Sequence, residues 1–269
     1  MNDWEKRNDY YKKDFILFEI VKNLGGRETV LLPSKVVLGG ELKAIPVRCI
    51  KAHSIDFLKK NFEAFNFYKK PLNIYGSVAG FEGMPMFSYA PKIRKKQQED
   101  FFNSTFSVYW VSYDFFIDID ADSLKDAYED AKKIKRIFDD LKLSYSLRFS
   151  GSRGFHFVIP DALFYSKPLS LINKVELCKS IATNLKGIED ISGIDLGVYQ
   201  PQRVLKVPYS LEGLNVCLPL SDAQFNAFKI EDMFADKVLK DLMIKNRGLL
   251  QREGSNNCLA LINMYGEVL

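Results

Sequence analysis

The strongest constraint on this chain lies at residues 113–123, YDFFIDIDADS, where large apolar residues close on Asp118, Asp120 and Asp122 at alternate positions. Side chains of a strand alternate between faces. Phe115, Ile117 and Ile119 therefore fall on one side, and Phe116, Asp118 and Asp120 on the other. The apolar side needs a cover. Residues 123–142 supply it, since Leu124, Ala127, Tyr128, Ala131, Ile134, Phe138 and Leu141 recur at helical spacing with charges elsewhere. The other side carries two carboxylates about 7 Å apart along the strand. Acids are poor strand formers and costly to bury unpaired. Either this is the solvated end of a strand, or Asp118 and Asp120 hold a divalent cation such as Mg²⁺, which accepts a sparse set of carboxylates completed by water and phosphate. Asp122, beyond the strand, is expected to start the following helix as its N-cap or as a first-turn acid.

The same unit continues with a strand at 143–149 (LSYSLRF), a tight turn (SGSRG) and a strand at 155–160 (FHFVIP). That turn makes an antiparallel hairpin, so the expected fold class is α+β rather than a doubly wound parallel sheet. Upstream, the pattern predicts a helix over 10–23 and short strands at 28–32, 35–38 and 45–50. A helix over 54–68 with Ser54 as N-cap and a strand over 71–81 follow. Downstream, a helix over 168–185, a strand over 203–209 and a mostly helical segment from 221 complete the reading. The expected organisation is one domain with an N-terminal α/β module (1–110), a central module (111–220) and a helical C-terminal segment (221–269).

Composition narrows the classes. The formal charge of +4, from 38 basic and 34 acidic residues, is too small to diagnose a nucleic-acid binder. The one basic cluster, KIRKK at 92–96, reads as a solvated loop or as a phosphate-backbone contact. No apolar run approaches the ~20 residues of a membrane helix. Cys49, Cys178, Cys217 and Cys258 lie far apart without a C-x-x-C pair, so no zinc site is expected and a reduced, cytoplasmic setting is.

Two further stretches carry chemistry. In FSGSRGFHF (149–157), Gly151 and Gly154 permit a tight turn and offer amide groups to an anion, while Ser150 and Ser152 add hydroxyls. Arg153 supplies a forked cation suited to phosphate, and His156 follows on the strand. His53, without such neighbours, reads as a structural histidine. In GIDLGVYQPQRVLKVPYSLEG (193–213), Asp195 is either a third metal ligand or an ordinary turn residue. Arg203 and Lys206 either line a phosphate groove or sit on a charged edge strand.

In that order, these motifs resemble the archaeo-eukaryotic primase superfamily, which comprises primase small subunits and primase-polymerases. FIDIDAD is similar to the family's hydrophobic D-x-D motif and SGSRGFH to its S-G-x-R-G-x-H motif. Asp195 followed by RVLKVPYSLEG is similar to its third motif; PLNIYGSVAG and GRETVLL are similar to segments of archaeal small subunits. The resemblance covers residues 25–215. It implies an RRM-like antiparallel catalytic sheet and template-directed nucleotidyl transfer onto a primer or initiating nucleotide on single-stranded DNA. It makes Asp118, Asp120 and Asp195 the ligands of two Mg²⁺ or Mn²⁺ ions. It gives Ser150, Gly151, Ser152, Arg153, Gly154, His156, Arg203 and Lys206 to the NTP or dNTP. An accessory domain or subunit outside this chain is a further implied partner, and no membrane is. The chain departs from the family at Glu212, where a His is usual, and at Lys206, where Arg is common. Two rivals remain: a catalytically weak single-stranded nucleic-acid-binding module of the same fold, and a D-x-D phosphatase using the first Asp as nucleophile.

Overall fold

A computed structural model of the protein describes residues 3–33, 36–38, 41–43, 47–50, 54–64, 72–82, 109–244 and 258–266. In chain order these form helices α1 (Asp3–Tyr11) and α2 (Asp14–Asn23), then strands β1 (Arg27–Pro33), β2 (Val36–Leu38), β3 (Glu41–Lys43) and β4 (Val47–Ile50). Helix α3 (Ile55–Ala64) and strands β5 (Leu72–Phe81), β6 (Trp110–Tyr113) and β7 (Phe115–Asp120) follow. Next come α4 (Leu124–Asp140), β8 (Ser146–Phe149), β9 (Gly154–Ile159), α5 (Asp161–Phe164), α6 (Leu171–Ile188) and β10 (Val204–Lys206). Strands β11 (Leu211–Glu212) and β12 (Asn215–Val216) lead to α7 (Asp222–Asn226), α8 (Ala235–Ile244) and α9 (Cys258–Tyr265). The class is α+β. The KIRKK run, His53 and residues 65–68 of the expected third helix lie outside the described residues. Among the described residues no helix is long and apolar enough to cross a membrane.

The chain divides into two units, one of residues 1–111, 204–218 and 229–246, the other of residues 112–203, 219–228 and 247–269. The first holds an antiparallel sheet whose path runs β10-β5-β1-β4. Its N-terminal helix is split where the pattern predicted continuity: Lys13 is extended (φ −81°, ψ 115°) between α1 and α2. The cause lies in two consecutive buried tyrosines. Tyr10 donates its hydroxyl to the Tyr209 carbonyl at 2.9 Å, and the Tyr11 hydroxyl accepts the Leu211 amide at 2.7 Å. Neighbouring helical residues point about 100° apart. Anchoring both rings and also burying Ile16, Leu17 and Ile20 requires the chain to be re-aimed at Lys12–Lys13. Ser54 caps α3 as expected, its hydroxyl accepting the Phe57 amide at 3.1 Å.

The second unit is built on the antiparallel sheet β7-β9-β8. Ile117 pairs with Phe157 and Ile119 with Phe155, and on the other side of β9 Leu147 and Phe149 pair with the same two residues. All six are fully buried. Helix α4 closes this face with Ala127, Ala131, Ile134 and Phe138, the last packing edge-on to Phe157 at 5.5 Å between centroids. The cap of α4 is Ser123, not Asp122. Ser123 has the extended backbone of a cap (φ −127°, ψ 153°) and its hydroxyl accepts the Asp126 amide, while Asp122 sits exposed one residue earlier.

Gly154 opens β9 where the strands run closest: a Cβ there would meet the Ile119 carbonyl oxygen at 2.1 Å. We expect Gly154→Ala to cost roughly 1–3 kcal/mol, the scale of overpacking a closed interior, read as a lowered urea midpoint. Gly187→Ala, on α6 with nothing within 4 Å, should raise the midpoint by up to about 1 kcal/mol through helix propensity.

Candidate active site

The face of the second sheet opposite α4 carries a single row of polar side chains. The register pairs Asp118 with His156 and His156 with Arg148, so the three stand side by side across β7, β9 and β8. Arg148 Nε donates to His156 Nδ1 at 3.2 Å. His156 Nε2 faces Asp118 Oδ1 at 3.4 Å, and Arg203 Nη2 donates to Asp118 Oδ2 at 3.2 Å. Asp118 is only 7% exposed and His156 only 5%. Burial acts to raise the pKa of Asp118, but His156 and the Arg203 guanidinium outweigh it and hold the carboxyl below its ordinary range. Asp118 is thus a buried anion with a partner for each oxygen. The Nε of Arg203 is buried and has no hydrogen-bond partner.

Residues 193–203 are strapped along the free edge of β7. Ile194 bridges Ile119, the Asp120 amide donates to the Gly193 carbonyl at 2.8 Å, and the Asp195 amide donates to the Asp118 carbonyl at 2.9 Å. This antiparallel pairing sets Asp195 opposite Asp118, extending the row by one residue. The strap is held from below: Asp130, a buried acid on α4, accepts the Gly193 amide at 2.7 Å, and Lys186 Nζ reaches the Ile194 carbonyl at 2.7 Å. Further on, Tyr199 stacks on Phe116 (centroids 5.0 Å apart) and donates to its carbonyl at 2.9 Å, which brings Arg203 back to Asp118. The Asp195 carboxylate serves its own chain, accepting the Gly197 amide at 2.8 Å as cap of the short turn Leu196–Val198.

Asp120 ends β7 and is exposed; its Oδ1 accepts from Arg153 Nε at 3.0 Å. Both side chains are about half exposed (51% and 54%), so water screens this pair far more than the buried one. The intervening turn is organised from within. Gly151 takes φ 92°, and the Ser150 hydroxyl accepts the amides of Gly154 (3.1 Å) and Ser152 (3.4 Å). The Gly154 amide, expected to face an anion, is therefore turned inward, and Gly154 is required for the close approach of β9 to β7. Ser152 and Arg153 are the exposed members of the turn.

Lys206 belongs to the first unit, where it pairs with Glu212 and lies 5.6 Å from the centre of the Tyr75 ring. Glu212 also accepts from Asn73 Nδ2 at 2.8 Å. Of the expected site residues, the second unit thus joins Asp118, His156 and Arg203 by side-chain contact, Asp120 with Arg153, and Asp195 with Asp118 through the main chain. Among the described residues no three His, Cys, Asp or Glu side chains converge closely enough to hold a metal ion. Two members of the site went unnoticed in the sequence. Arg148 had a signal in its alternation with Leu147 and Phe149, which places it on the polar face. Asp130 had one as an acid on the core-facing side of an otherwise apolar helical stripe.

A polar row on one face of an antiparallel sheet, with α4 covering the other, defines the class as α+β. No protein-family model and no curated protein matches the chain. Among solved structures it is similar to the polymerase domain of Ligase D from Mycobacterium tuberculosis, determined in complex with DNA. The likeness has a TM-score of 0.57 over 90% of this chain and 89% of that one, at 15% identity, and shows the fold. Two structures of the primase RepB′ also align. Its catalytic domain in complex with initiator DNA does so at 8% identity over 87% of this chain and 98% of that one, and a second structure at 10% over 86% and 65%, both with a TM-score of 0.37.

The two aspartates should separate in stability measurements. We expect Asp120→Ala to change the free energy of unfolding by less than about 1 kcal/mol. Asp118→Ala removes the carboxylate that faces His156 Nε2 and Arg203 and should cost roughly 3 kcal/mol; matched urea titrations read both.

Proposed function

We propose that this chain is a template-directed nucleotidyltransferase of the primase-polymerase kind, extending a primer or initiating nucleotide with NTPs or dNTPs on single-stranded DNA. The observation that carries the reading is the row Arg148–His156–Asp118 with Asp195 and Arg203 joined to it, on a fold similar to that of a polymerase domain. By chemical type the donors suit hard divalent cations, although the three carboxylates do not converge on one point as they stand. The donor atoms are carboxylate oxygens, and Asp118 is held ionised by its surroundings. Asp118, Asp120 and Asp195 would hold Mg²⁺ or Mn²⁺, with Arg203 and Arg153 yielding their present carboxylate partners. Such ions would supply activation of an attacking 3′-hydroxyl and neutralisation of the pyrophosphate leaving group.

The chain's own residues then bind and orient. Arg153 is exposed and forked, the Nε of Arg203 lacks a partner, and His156 points a ring nitrogen along the same face. Together they offer the triphosphate a set of fixed donors, and catalysis by positioning and electrostatics follows from that rigidity. Ser152 adds an exposed hydroxyl, while Ser150, Gly151 and Gly154 shape the turn that presents it. Lys206, in the first unit, is engaged by Glu212.

One observation favours the binding-module reading: each row acid already has a cation or an amide partner without metal. The phosphatase reading is disfavoured, because its nucleophile would be Asp118, which is buried and engaged at both oxygens.

Incubation with primed and unprimed single-stranded templates, labelled NTPs or dNTPs and Mg²⁺ or Mn²⁺ tests the proposal on a gel. Incorporation by the wild type and none by Asp120→Ala, with the latter's unfolding unchanged, is expected. Extension that survives Asp120→Ala would sink the assignment. Electron paramagnetic resonance should show Mn²⁺ bound by the wild type and weakened in Asp120→Ala, whereas the binding module would hold DNA without it. Arg153→Ala should raise the nucleotide requirement about tenfold, the scale of one lost charge-assisted contact, and leave template affinity within about twofold of wild type; equal losses in both would remove Arg153 from the triphosphate.

A further inference from the structure

The contact between Arg148 and His156 has a chemical direction. A guanidinium N–H can only donate, so His156 Nδ1, 3.2 Å from Arg148 Nε, must present its lone pair. A neutral imidazole then carries its proton on Nε2, the nitrogen that faces Asp118. We propose that Arg148 is a positioning residue: it fixes His156 in the Nε2–H form and holds that N–H on the row face, where the nucleotide phosphate is to be bound. The consequence for the nucleotide rests on the function proposed above; the tautomer itself does not.

Asp118 is the competing cause, because a carboxylate beside Nε2 favours the same proton position. The two differ in what survives. The Asp118 contact is long at 3.4 Å, and Arg203 shares the same carboxylate. Arg148 approaches from the opposite side, on the neighbouring strand β8, at a position fixed by the ladder. Its hold on Nδ1 therefore persists when the carboxylate is drawn elsewhere.

The side chain also permits a clean substitution pair. Arg148 Nε lies at the fourth side-chain position, where glutamine carries its amide nitrogen and methionine a methyl. Arg148→Gln retains a donor there, and Arg148→Met keeps the bulk without one.

The chain contains two histidines, so long-range nitrogen–proton correlation spectra of ¹⁵N-labelled protein hold two ring patterns, and His156→Gln assigns them. At one fixed pH and without metal, His156 is expected as Nε2–H in the wild type, in Arg148→Gln and in Asp118→Asn, and as a mixed or Nδ1–H form in Arg148→Met. In primer extension Arg148→Met should raise the nucleotide KM about tenfold with a smaller change in kcat, and Arg148→Gln should restore it to within about threefold. An Nδ1–H ring in the wild type overturns the proposal without any variant. So does an Nε2–H ring that survives Arg148→Met but not Asp118→Asn, which assigns the tautomer to the carboxylate. A tautomer lost in Arg148→Met with KM unmoved also overturns it, since the ring's position would then not matter to the nucleotide. If the wild type incorporates nothing, the proposed function fails while the spectra still decide whether Arg148 sets the tautomer.

Discussion

The second unit depends on keeping one carboxylate ionised in a place where water hardly reaches it. Asp118 sits on β7, between β9 and the strap, and a buried anion without partners is costly by several kcal/mol. The β7–β9 register brings His156 to one oxygen, and the strap from Gly193 to Arg203 brings a guanidinium to the other. Register and strap are thus specified twice, once by the apolar face against α4 and once by the charge. A one-residue slip of β9 would put His156 among the phenylalanines and Phe155 beside the aspartate.

The strap is the less obvious half. Its first residues, Gly193–Asp195, are attached to β7 through main-chain bonds. What registers it is Asp130, which reaches from a core-facing position of α4 to the Gly193 amide. Gly193 has no room for a side chain, since a Cβ would meet Asp130 Oδ2 at 2.8 Å and Ile119 Cγ2 at 3.2 Å. A buried acid on the covering helix therefore sets the location of the row's last acid.

What was legible in the sequence was local. Alternation over Phe115–Asp120 and helical spacing after it gave β7, α4 and the two-faced sheet, because both signals depend only on near neighbours. The Ser150–Gly154 turn declared its hairpin in the same way. The rest was set by distant partners. The break at Lys12–Lys13 depends on carbonyl and amide groups near residue 210, which no helical window contains. Asp195 read equally as ligand or turn residue, and its place opposite Asp118 comes from a pairing across more than seventy residues of chain. Arg148 looked like any charged residue on a strand until β9 lay beside it. The choice of Ser123 over Asp122 as cap turned on backbone geometry, since either side chain can cap a helix.

The charges on the row bear on the proposed chemistry. Asp118 is paired with Arg203 and His156, Asp120 with Arg153, and Asp195 accepts the Gly197 amide. A nucleotide's triphosphate adds negative charge that Arg153 and Arg203 can meet only by leaving Asp120 and Asp118. The acids they leave must then be neutralised in turn. Divalent cations are a source of charge that binds carboxylate and phosphate together. Nucleotide and metal would accordingly be expected to bind in each other's favour, with the guanidinium groups passing from carboxylate to phosphate as they do. A module that only held DNA would need no such exchange, because its acids could keep the arginines they have.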